Sequence, residues 1–168
     1  MEQGRSGSIG VVVVAAGRGE RAGASVEGPK QYRRIGGKPV ISHTLRLFLD
    51  WPKSGPIVVV IHPDDRQLLD AAVAHLQERE RLIVVTGGAT RQASVRNGLH
   101  ALQDHGIDHV MIHDGVRPFV DAPLLERIAT ELAAGKKAVL PALPVSDTIK
   151  RADTFGVVTA TVPRKDLF

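Results

Sequence analysis

Between Arg18 and Lys38 the chain carries six basic side chains (Arg18, Arg21, Lys30, Arg33, Arg34, Lys38) against two acidic ones (Glu20, Glu27). That excess of +4 equals the formal charge of the whole 168-residue sequence. Gly19, Gly23, Gly28, Pro29, Gly36 and Gly37 punctuate the same stretch, so no helix runs through it. Glycines let backbone N–H groups approach an anion closely, and guanidinium and ammonium groups supply the countercharge, so the guest this chemistry suits is a polyphosphate. A solvated basic loop is the alternative for most charge runs. Position favours a ligand here: the loop directly follows four consecutive valines, residues 11–14, and ligands of open α/β sheets sit beyond the carboxyl ends of the strands.

Other residue types narrow the chemistry. Gly17-Arg18-Gly19-Glu20-Arg21-Ala22 fits a loose G-x-G-x-x-A pattern, but no helix opens on these glycines and the next strand candidate ends in His62-Pro63 rather than an acid. A dinucleotide fingerprint is therefore set aside. The phosphate-loop pattern fails as well, because Gly37-Lys38 runs into Pro39. Gly87-Gly88-Ala89-Thr90 forms a second glycine turn, suited either to presenting N–H donors to a base or ribose or simply to joining a strand to a helix capped by Thr90. Asp114 ends another strand and is a candidate Mg²⁺ ligand, or else a cap for the turn that follows. His105, His109 and His113 recur every four residues, yet Gly106 interrupts any helix, and on a strand His109 and His113 stand ~13 Å apart. They are read as structural or incidental. The sequence holds no cysteine, hence no disulfide or thiolate metal site, and no metalloprotease or serine-elbow pattern.

The elements that must position these residues alternate. Strands are expected over residues 11–14, 57–61, 82–85, 109–112 and 137–140. Helices are expected from Pro39 to about Asp50 (Val40, Ile41, Thr44, Leu45, Phe48 on one face), from Pro63 (Leu68, Leu69, Ala72, Val73, Leu76), after Thr90 (Val95, Leu99, Leu102), and from Asp121 to Gly135. Strand and helix in alternation imply α/β architecture, a Rossmann-like three-layer sandwich with a mostly parallel sheet. From Pro141 the pattern changes to two β-rich stretches, residues 145–151 and 157–162, joined around Asp153-Thr154-Phe155-Gly156. This predicts a protruding β-arm over residues 144–164, and because a lone hairpin is marginal, a second subunit is its natural support. Length suits a single domain, residues 1–168. The polar N-terminus lacks the apolar core of a signal peptide and no run is long enough to span a bilayer, so a cytoplasmic protein is expected. The basic excess sits in one loop without an aromatic stripe, which argues against nucleic acid.

Five groups of residues in order, Ala15-Ala16-Gly17-Arg18-Gly19-Glu20-Arg21, Pro29-Lys30-Gln31-Tyr32, Gly87-Gly88 with Arg91 and Ser94-Val95, His113-Asp114-Gly115-Val116-Arg117-Pro118, and Asp147-Thr148-Ile149-Lys150, resemble the 2-C-methyl-D-erythritol 4-phosphate cytidylyltransferase family. The resemblance covers nearly the whole chain. It implies transfer of a cytidylyl group from CTP to 2-C-methyl-D-erythritol 4-phosphate, with Mg²⁺ as cofactor and a homodimer formed through the arm. It further implies that Arg21 and Lys30 contact the triphosphate as catalytic residues, and that Ala15, Ala16, Gly17 and Gly19 line the nucleotide pocket. Gly88 and Ser94 would touch cytosine and ribose, and Asp114 would hold the metal. Thr148, Lys150 and Arg164 would bind the acceptor phosphate from the neighbouring subunit, and Arg117 would help there or brace Asp114. Ala89 and Pro163 depart from acidic residues common in the family. The family also continues past the position of Phe168, so the chain is expected to lack the C-terminal part, as in a fragment or in the N-terminal part of a bifunctional enzyme. The runner-up readings are another sugar- or alditol-phosphate nucleotidylyltransferase, and a CTP-binding or dimerising fragment without turnover.

Overall fold

The computed structural model describes residues 9–18 and 28–168. In chain order its elements are β1 (Ile9–Ala15), a 3-10 turn (Lys30–Tyr32), β2 (Arg34–Ile35), β3 (Lys38–Pro39), α1 (Val40–Asp50), β4 (Ser54–Ile61) and α2 (Arg66–Val73). Then follow β5 (Leu82–Thr86), α3 (Arg91–Leu102), β6 (His109–Asp114), α4 (Ala122–Ala133), β7 (Ile149–Ala152) and β8 (Val158–Val162). The chain divides into two compact units, one up to Ala129 and one from Thr130 on.

The first unit is built on a four-stranded sheet in the order β5-β4-β1-β6, all parallel. The valine run stands in the middle of it. Alternation sends Val12 and Val14, with Val58 and Val60, to a face covered by Leu102 and Ala101 of α3. Val11 and Val13, with Ile57 and Val59, point to the other face, where α1 buries Ile41, Leu45 and Phe48 completely. Burial on both faces is why this strand reads as an unbroken apolar run. The register matters most for function: Val14 lies opposite Asp114, Ala15 opposite Ile61, and Ile61 opposite Thr86. All four strands therefore end on one edge, and the loops leaving them meet there.

α1 buries the whole of its expected face, Val40, Ile41, Thr44, Leu45 and Phe48, whereas α2 and α3 depart from theirs in part. α3 packs through Ser94, Gly98 and Leu102, while Leu99 is exposed and Val95 only half-buried. Close approach decides the rotation: a Cβ on Gly98 would come within 2.5 Å of Val12 Cγ1, so the sheet accepts the small-residue side of the helix. α2 stops at Val73, and Leu68 faces solvent. Pro39 is the N-cap of α1 and bridges Arg34 in the β2–β3 pair, so the helix begins one residue later than its proline suggests.

The expected fifth strand over residues 137–140 does not form. This segment pairs with no strand among the described residues, and Leu140 is exposed. A strand exists only through a ladder, and Pro141 and Pro144 remove donors just where the segment would extend. The second unit does contain the expected hairpin: β7 and β8 pair antiparallel, with Asp153 Oδ1 accepting from the N–H groups of Phe155 and Val157 at the turn. Its side chains are exposed almost throughout. No helix among the described residues is long and apolar enough to cross a membrane.

Candidate functional site

A cavity of about 490 Å³ opens at the aligned strand ends. Its floor is the end of β1 with Ala15, Ala16 and Gly17, and its walls are the turn bearing Lys30, the β5–α3 turn bearing Gly88 and Ser94, and Asp114 at the end of β6. Seven of the residues expected from the sequence thus meet in one place. Gly19 and Arg21 lie outside the described residues. Thr148, Lys150 and Arg164 belong to the second unit, where Thr148 is exposed, Lys150 Nζ donates to Thr161 Oγ1 at 2.6 Å, and the Arg164 guanidinium donates to the Ser146 carbonyl.

Local chemistry explains the β5–α3 wall. Thr90 caps α3 by accepting from the Ala93 N–H at 3.0 Å, as a β-hydroxyl at an N-cap does. Ser94, one turn into the helix and buried, accepts from the Gly88 N–H at 3.1 Å and donates to the Thr90 carbonyl at 3.0 Å. Its hydroxyl braces the glycine turn, so Ser94 lines the cavity mainly as a support. The glycines are needed for space: a Cβ on Gly87 would stand 2.4 Å from Ala16 Cβ, and one on Gly88 2.5 Å from Ala93 Cβ.

The opposite wall is held from a distance. Gln31, 3% exposed, donates through Nε2 to the Ala15 carbonyl at 2.7 Å and the Gly17 carbonyl at 3.2 Å. Arg18 donates to Asp65 at 2.9 Å and Asp64 at 3.0 Å, and also meets His62 Nδ1. Lys30 is exposed and has no charge partner among the described residues.

Asp114 is gripped by two arginines, Arg91 on Oδ1 at 2.8 Å and Arg117 on Oδ2 at 2.9 Å. Burial alone would raise its carboxyl. The hydrogen bond and charge of Arg91, then those of Arg117, outweigh that and hold it below the ordinary carboxylate value. A carboxylate offers about four lone-pair sites, so two arginine donors leave Asp114 able to ligate a hard cation. No group of three or more metal-binding side chains occurs among the described residues. That donor set suits Mg²⁺, which takes one or two carboxylates and completes its shell with water and substrate phosphates.

Arg117 also lines a second cavity, of about 910 Å³, together with Arg33, Arg127, Pro118, Phe119 and Leu124. Lys30 and Val116 border both cavities. His113 points into the core, its ring edge-on to Phe48 at 5.2 Å, and burial pushes its pKa below the usual value. That neutral, apolar setting fits a structural histidine.

The sequence left four contributors without a role: Arg91, Arg18, His62 and Gln31. Arg91 carried a signal, since the first residue of a helix beside a glycine turn is already near the ligand edge. Arg18 was one charge among six, Gln31 had no readable partner because its acceptors lie on another loop, and His62, which caps its own turn by accepting from the Asp64 N–H, meets Arg18 only across loops.

Comparison with known proteins gives the same outline. The family described as 2-C-methyl-D-erythritol 4-phosphate cytidylyltransferase matches residues 9–168. A bifunctional enzyme IspD/IspF of Rhizobium rhizogenes is 58% identical over 161 residues, covering 96% of this chain and 40% of that protein. Its counterpart from Agrobacterium fabrum is 60% identical over 160 residues, 95% of this chain and 40% of its own length. Among solved structures, the 4-diphosphocytidyl-2C-methyl-D-erythritol synthase of Anaerococcus prevotii aligns with a TM-score of 0.78 at 28% identity, covering 95% of this chain and 65% of that one. The chain thus spans about 40% of the length of the curated relatives it matches.

Proposed function

This chain belongs to the 2-C-methyl-D-erythritol 4-phosphate cytidylyltransferase family, and from that membership we propose that its site transfers a cytidylyl group from CTP to 2-C-methyl-D-erythritol 4-phosphate. The products are 4-diphosphocytidyl-2-C-methyl-D-erythritol and pyrophosphate. A phosphate oxygen of the acceptor bonds to the α-phosphorus of CTP while the α–β bridging P–O bond breaks, and pyrophosphate leaves with that electron pair. Such a step asks for in-line positioning and for neutralisation of gathering negative charge, with no covalent nucleophile.

One observation carries the reading: Lys30, free of any charge partner among the described residues, borders both cavities. A lysine there meets the triphosphate in the first cavity and the acceptor in the second, at the point where charge builds. Gly17 and Gly88 allow the nucleotide to approach the backbone, and Asp114 would hold Mg²⁺, whose contribution is to neutralise phosphate oxygens. Arg117 both orients Asp114 and faces the second cavity, which gives the acceptor phosphate a guanidinium. Arg21 is assigned to the triphosphate by the family motif alone.

The arm, exposed along both strands, is assigned to contact with a second copy of the chain, where Thr148, Lys150 and Arg164 would reach the acceptor phosphate. No nucleic acid and no membrane enters the reading, and the cytoplasm is its setting.

The test is pyrophosphate release from CTP and Mg²⁺ with a panel of phosphorylated polyols. Release with 2-C-methyl-D-erythritol 4-phosphate is expected. Release only with a different sugar or alditol phosphate moves the protein to that acceptor, and CTP binding without release for any acceptor makes it a binding module.

A further inference from the structure

We infer that Gln31 is a positioning residue, the strut that fixes the backbone of Lys30 against the end of β1, and this rests on the proposed role of Lys30. The lysine sits at the start of a three-residue 3-10 turn (Lys30–Tyr32). Such a turn is short. Its exit is fixed to α1, where the Val40 N–H donates to the Arg33 carbonyl at 2.8 Å. Its own two bonds close on itself, the Tyr32 N–H donating to the Pro29 carbonyl at 2.9 Å and the Arg33 N–H to the Lys30 carbonyl at 3.2 Å. None of these bonds ties the turn to the cavity floor. Gln31 does, because its amide nitrogen spends both hydrogens on the Ala15 carbonyl at 2.7 Å and the Gly17 carbonyl at 3.2 Å.

The choice of residue follows from those acceptors. β1 stops at Ala15, so the carbonyls just beyond the sheet ladder need donors, and only a group with two N–H bonds on one atom satisfies two of them at once. Glutamine supplies that pair without a charge, which matters at 3% exposure. One atom therefore sets the spacing between the cavity floor and the side chain next to it in sequence. Lys30 can keep a mobile side chain while its Cα stays in place.

Two variants test this in the whole protein. Gln31→Met keeps the volume and removes both donors, and kcat is expected to fall about 10²-fold, as for an ångström-scale misplacement of a catalytic group. KM for CTP should change far less. Gln31→Glu supplies a distinctive signature: its carboxylate faces two carbonyl oxygens and is repelled, whereas its protonated form can donate to one of them. Its activity should recover in part as pH falls, giving a limb absent from the wild-type profile. Amide hydrogen exchange of Gln31→Met is the readout independent of turnover, with protection lost at residues 15–18 and 31–33 together and retained in α1 and β4.

Wild-type kcat in Gln31→Met, a Gln31→Glu profile parallel to wild type, or unchanged protection in both segments would each overturn the inference. If the wild type itself releases no pyrophosphate, the proposed reaction fails, and hydrogen exchange still decides whether the strut exists.

Discussion

The loop leaving β1 and the turn leaving β5 touch across the same cavity, close enough that a Cβ on Gly87 would collide with Ala16, yet they are held by opposite means. Beyond one ladder bond from the Gly87 N–H to the Ile61 carbonyl, the β5 turn is braced locally, by Thr90 and Ser94 of the helix it opens into. The β1 loop is braced remotely, by Gln31 from a separate turn and by the ion pairs of Arg18 with Asp64 and Asp65, more than forty residues away. The difference teaches that one wall is a preformed backbone surface and the other a mounting for a charge. Four substitutions probe it, in falling order of expected effect.

Lys30→Ala should lower kcat by ~10²–10³, the usual loss of one transition-state donor, with urea unfolding unchanged because the side chain is exposed and unpaired among the described residues. An unaltered kcat would strip the β1 side of its catalytic part. Gly87→Ala attacks the contact between the two walls. Its methyl cannot rotate away from Ala16, so a loss of ~1–3 kcal/mol of unfolding free energy is expected, with weaker CTP binding by calorimetry.

Ser94→Ala leaves the Gly88 N–H without its acceptor, at a cost of ~1–2 kcal/mol. Calorimetry should then show weaker nucleotide binding with kcat at saturating CTP nearly unchanged, which separates the backbone surface from the charge mount. Arg91→Gln acts most gently, since an exposed ion pair is worth about 0–1 kcal/mol. Its effect is directional. The folded carboxyl of Asp114 lies below its unfolded value of 3.8, so its stabilisation is present above that value and lost as pH falls through the lower folded one. Removing Arg91 lifts the folded pKa, and acid unfolding should begin at higher pH, read by circular dichroism against pH.

How much of this was readable follows from how far each cause reaches along the chain. Thr90 as a cap, the valine run as a central strand and the Asp153 turn of the arm are local, and each appears in the structure as expected. The expected face of α3 holds only in part: Leu102 packs into the core, but Leu99 is exposed because the sheet demands the closest approach, which Gly98 allows. The expected strand over residues 137–140 failed for a related reason: β propensity proposes a strand, but a ladder partner makes one.

By itself the sequence determined the alternation of strands and helices, the concentration of positive charge in one glycine-laced loop, and the motifs that place the chain in its family, since all of these are properties of neighbouring residues. The tertiary structure alone decided that four strands end on one edge, that Arg91 reaches Asp114, and that Gln31 ties the turn of Lys30 to β1. Each of those depends on distances between residues far apart in the chain, which register and packing set only when the sheet closes.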